Sequence, residues 1–66
     1  MSEIIIEKLL EQRDFYLNTL KQLEFQLVME PSESEISGIE KLQKTTIDQL
    51  KKVEQEIAYL TSEKSL

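Results

Sequence analysis

The side chains of this chain that could do chemistry are carboxylates, lysines and hydroxyls, because its 66 residues include no Cys and no His. Without those two types there is no Ser-His-Asp or Cys-His triad, no thiolate nucleophile and no imidazole to act as acid or base near neutral pH. The usual zinc ligand sets and any disulfide are excluded for the same reason. The one glycine, Gly38, rules out a glycine-rich phosphate loop. Glu3, Glu7 and Glu11 recur every four residues and are the best remaining candidates to gather a cation. On a helix, that spacing lays them along one side without converging, and puts negative charge beside the positive end of the macrodipole. They read as a solvated acidic face. The expectation is a protein that is not an enzyme and has no catalytic residue, no metal and no cofactor.

Lysines offer the second possible chemistry. Lys41, Lys44, Lys51 and Lys52 form the only basic cluster, but Asp48 interrupts it and Glu40, Glu54 and Glu56 flank it. Phosphate binding draws on uninterrupted cations, often with aromatics for base stacking, and the formal charge here is -5. Nucleic acid is therefore a disfavoured partner.

The elements that must carry these side chains are helices. The segment Pro31-Ser32-Glu33-Ser34-Glu35 has no large apolar side chain, whereas both flanks carry apolar residues at helical spacing. Pro31 disfavours helical geometry at Glu30, so the first helix should run from about residue 2 to 30. Ser32 with Glu35, and Ser37 with Glu40, are equally good capping boxes. The turn is thus expected at about 31–37 and the second helix at about 35–63, with its start open between the two serines.

Apolar residues recur at alternating steps of three and four. In the first helix the stripe is Ile6, Leu9, Arg13, Tyr16, Leu20, Leu23 and Leu27; in the second it is Ile39, Gln43, Thr46, Leu50, Val53, Ile57 and Leu60. Such spacing, held over several heptads, signals coiled-coil-like helices, and no β alternation competes with it. A short connection should fold the two helices back on each other. The expected fold is all-α: an antiparallel two-helix hairpin with coiled-coil-like packing that pairs into a four-helix bundle. Its core would be Ile6, Leu9, Tyr16, Leu20, Leu23, Leu27, Ile39, Leu50, Val53, Ile57 and Leu60. A loop centred near residue 33 or 34 would set Leu20 beside Ile47, Leu27 beside Ile39 and Glu40, and Leu9 beside Ala58. Arg13, the one charge on its stripe, would face Glu54 or lie along the seam with its head in water.

The first helix carries more apolar surface than one seam needs. At about 100° per residue, Ile4, Phe15, Phe25 and Met29 fall within about 80° of one another on the side opposite the seam. From Phe15 to Met29 the only charges are Lys21 and Glu24. A chain below roughly 70–80 residues with no covalent or metal staple usually needs self-association to complete a core. The expected function is a small non-catalytic protein–protein interaction module, an acidic homodimer or an adaptor for a larger helical protein, with Ile4, Phe15, Phe25 and Met29 as its interface.

In layout alone the chain is similar to the small helical-hairpin co-chaperones of type III secretion systems, which hold a needle subunit unassembled together with a larger helical-repeat partner. That likeness rests on length, hairpin form and a surplus apolar helix face, and it implies a chaperone or adaptor subunit. Layout also resembles a plasmid copy-number regulator that binds paired RNA loops, which implies a dimeric nucleic-acid-binding protein. No signal segment or membrane span is expected, because the longest early apolar runs are Ile4-Ile5-Ile6 and Leu9-Leu10. No helix joins an apolar face to a basic one, so membrane binding is not expected either. The expected location is cytoplasmic.

Overall fold

The computed structural model describes residues 2–64, with side-chain placement for residues 3–62. The described residues form two helices, α1 (Ser2–Val28) and α2 (Glu33–Lys64), and no strand. Neither Pro nor Gly interrupts α1, and Glu3 in its first turn complements the positive end of its dipole. Helices of 27 and 32 residues are about 40 and 48 Å long at 1.5 Å per residue. The molecule measures only 50 × 14 × 14 Å, so the two lie side by side, and they pack against each other.

The connection is residues 29–32, shorter than the expected turn over 31–37. At its first step the Met29 amide donates to the Gln26 carbonyl at 3.2 Å, a tightened last turn. Glu30 then adopts the left-handed region at φ 55°, a reversal usually given to glycine after a helix. Pro31 has no amide and cannot continue α1. Ser32 caps α2: its carbonyl accepts the Ile36 amide at 2.9 Å, and its Oγ accepts the Glu35 amide at 3.4 Å. Ser34 Oγ lies 3.3 Å from the same hydroxyl. Of the two possible caps, Ser32 begins the helix, leaving Ser37 and Gly38 inside it. Glu33 and Glu35 in the first turn add the anionic charge that a helix N-terminus favours.

Burial follows the heptads. Leu9, Leu23, Ile39 and Val53 are buried; Ile6, Tyr16, Leu20, Leu27, Leu50, Ile57 and Leu60 are half-buried. Leu10 is half-buried, and Leu17 stands at the rim. Thr46 is the buried polar residue of the seam, and its hydroxyl donates back to the Leu42 carbonyl at 2.6 Å, so the group is satisfied within its own helix. Three positions that the loop midpoint assigned to the seam, Ile47, Glu54 and Ala58, are exposed instead. The residues that turn inward are one earlier: Thr46, Val53 and Ile57. The apolar stripe sets the phase of α2, and the loop accommodates it.

Arg13 is half-buried and its Nε is enclosed without a hydrogen-bond partner. It makes no ion pair with Glu54. Of the two arrangements expected for Arg13, the pair with Glu54 is absent, and the side chain lies half-buried with one donor unsatisfied.

Candidate interaction surface

The first helix positions the surface. Steps of three and four over Phe15, Asn18, Gln22, Phe25 and Met29 define a second heptad line on α1, about 180° around the helix from the seam. Ile4, Phe15, Phe25 and Met29 are each between 61% and 68% exposed. These four share one side of α1, where the exposed neighbours are uncharged between Phe15 and Met29 (Asn18, Gln22 and Gln26) and acidic between Ile4 and Phe15 (Glu7 and Glu11). The Phe15 ring stands edge-on to Tyr16, 5.7 Å between centroids at 69°, which braces the outward ring against a residue anchored in the seam.

At the connection end the surface deepens into a groove of about 330 Å³, lined by Phe25, Gln26, Met29, Glu30, Pro31, Glu35 and Ile39. Phe25, Met29, Pro31 and Ile39 give it apolar walls, and Gln26 with the exposed carboxylates of Glu30 and Glu35 gives it polar ones. It holds no nucleophile and no set of metal-binding donors. An apolar side chain accompanied by a cation suits it. The groove was not legible beforehand, because it depends on Glu30 turning left-handed and on α2 being capped by Ser32.

A second shallow groove, about 430 Å³, runs along α2 between Glu40, Gln43, Lys44, Ile47, Asp48 and Lys51. Both signs of charge line it, so the basic cluster is broken in space as well as in sequence. Sequence reasoning also passed over Val28, which is 76% exposed, and Ile5, Leu42 and Tyr59, all exposed. Val28 adjoins the candidate surface through Met29; Tyr59 lies on the outer side of α2, away from it.

No protein-family model, curated protein or solved structure matches this chain significantly. The surface therefore carries the functional argument alone. No helix among the described residues is long and apolar enough to cross a membrane.

Proposed function

We propose that the chain is a non-catalytic protein–protein interaction module, an antiparallel helical hairpin whose second copy docks on the outer face of α1 to give a four-helix bundle. The side-by-side helices and four-residue connection support the antiparallel hairpin, since so short a link cannot carry the chain back along a helix of about 40 Å. With that direction, Leu27 layers with Ile39, Leu20 with Thr46, Tyr16 with Leu50 and Leu9 with Ile57.

One observation carries the functional reading: Ile4, Phe15, Phe25 and Met29 stand exposed on the side of α1 that the seam does not use. Scattered exposed apolar residues are ordinary on any protein. Here Phe15, Phe25 and Met29 recur at heptad spacing over a charge-poor stretch, with Ile4 on the same line, the pattern of a helix that packs on two sides. Fully burying one Phe is worth about 1.5–3 kcal/mol, a large fraction of a small domain's stability. Self-association is preferred because closed two-fold dimers are the commonest assembly and a short hairpin gains the core it lacks.

Sedimentation equilibrium tests the reading. The wild-type chain should sediment at twice its 7.8 kDa, and Phe25→Glu should return it to the monomer with its helical circular dichroism retained. A wild-type monomer at every concentration, or a Phe25→Glu variant that still dimerises, would refute it.

A further inference from the structure

We infer that the groove at the turn end docks a short basic segment of another protein, with one apolar side chain entering between Phe25, Met29, Pro31 and Ile39 while a flanking Lys or Arg reaches Glu30 and Glu35. The inference goes beyond the dimer reading. The groove shares Phe25 and Met29 with the outer face of α1, but Glu30, Pro31, Glu35 and Ile39 lie past the end of that helix at Val28. Its acidic wall is therefore a separate feature, made by the turn and the start of α2.

Charge selects the occupant. Residues 22–40 hold Glu24, Glu30, Glu33, Glu35 and Glu40 and no Lys or Arg, so this stretch alone accounts for the formal charge of -5, and acids equal bases over the rest of the chain. Because α1 ends and α2 begins within it, the whole excess gathers toward one end of a molecule 50 Å long. All five residues are exposed, and none is held in an ion pair. Folding accounts for part of this. Glu33 and Glu35 lie in the first turn of α2, where the helix dipole favours an anion. Glu30 has no such reason, since it follows the last turn of α1, where the dipole opposes negative charge and no basic residue offsets it.

An open apolar groove within an unneutralised acidic pole suits long cationic side chains, whose stems pack along apolar surface while their heads stay with a carboxylate. The same field speeds the approach of a basic partner and turns away acidic ones, nucleic acid and anionic bilayers among them. A second copy is not the occupant of this groove. Its basic cluster is interrupted by Asp48, and its own turn end repels this one.

A peptide titration followed by amide NMR tests the inference, with the end-capped peptide Lys-Leu-Leu-Lys as probe and Lys-Gly-Gly-Lys and Glu-Leu-Leu-Glu as controls. At low salt, millimolar Lys-Leu-Leu-Lys should shift the amides of Met29, Glu30, Glu35 and Ile39 saturably. Combining Glu30→Gln with Glu35→Gln should weaken that binding several-fold, as should about 0.5 M salt, which screens exposed charges. Both positions are exposed, so the variant should keep its helical circular dichroism. Lys-Gly-Gly-Lys should bind several-fold more weakly, and Glu-Leu-Leu-Glu should leave the groove amides unmoved. Absence of a saturable shift with Lys-Leu-Leu-Lys, equal binding of Lys-Gly-Gly-Lys, or binding unchanged by the two substitutions would overturn the inference. None of these outcomes depends on whether the chain sediments as a monomer or a dimer, because Glu30 and Glu35 are not part of the outer face of α1.

Discussion

Arg13 sets a cation on an otherwise apolar line of α1 and leaves its Nε enclosed without a partner. A buried donor with no acceptor costs about 1–3 kcal/mol, and a Leu of similar reach has no donor to satisfy. Arg13→Leu should therefore raise the urea midpoint, by about 1 kcal/mol in stability. A fall in stability would mean that the guanidinium is paired in solution and fixes the alignment of the helices. Glu30 presents the complementary case on the backbone. Its φ of 55° is costly for a residue with a Cβ, about 1–2 kcal/mol. Its carboxylate also sits at the negative end of α1, whose last turn has no basic residue. Glycine adopts that φ freely but loses more backbone entropy on folding. Glu30→Gly should on balance stabilise the hairpin by up to about 1 kcal/mol in urea denaturation, and it would also remove one carboxylate from the groove.

At the scale of the elements, the two capping boxes that look alike in sequence make opposite predictions. Ser32 Oγ holds the Glu35 amide at the start of α2, whereas Ser37 is already inside the helix. Ser32→Ala should cost about 1 kcal/mol and Ser37→Ala almost nothing, measured by thermal melting. Gly38 is within the same helix, and a Cβ added there would meet nothing within 4 Å. Gly38→Ala should raise stability by about 0.8–1 kcal/mol in the same assay; a loss would show that the position is covered by a second chain. The two helices and the inward set from Ile6 to Leu60 were legible from spacing alone, since the three-and-four pattern fixes a face without reference to a partner. The start of α2 was not, because Ser32-Glu35 and Ser37-Glu40 satisfy the same amides equally well. The facing of Ile47 over Thr46 was mistaken because it was taken from the midpoint of a loop, and a shift of one residue on a helix turns a side chain by about 100°. The exposed set at Ile4, Phe15, Phe25 and Met29 was readable, but the groove beside it was not, for it is made by backbone geometry at Glu30.

For the whole molecule the decisive quantity is how much surface two helices can hide. No large side chain among the described residues is completely buried, so the hairpin has a seam but no enclosed core. A seam between two helices leaves one flank of every residue near water, and packing contacts are lost on that side. A second hairpin over α1 would close Phe15, Phe25 and Met29 away from water and leave the polar face of α2 outside. If folding and association are linked in this way, stability must depend on protein concentration by mass action. Taking about 0.7 kcal/mol of enthalpy per residue over two chains, each tenfold dilution should lower the melting temperature by roughly 5 °C. Phe25→Glu should melt at a lower temperature that dilution does not move, because its hairpin has only the α1–α2 seam to lose. A wild-type melting temperature that stays constant across two decades of concentration would mean that the seam suffices, and that the apolar face of α1 is held for a partner other than itself.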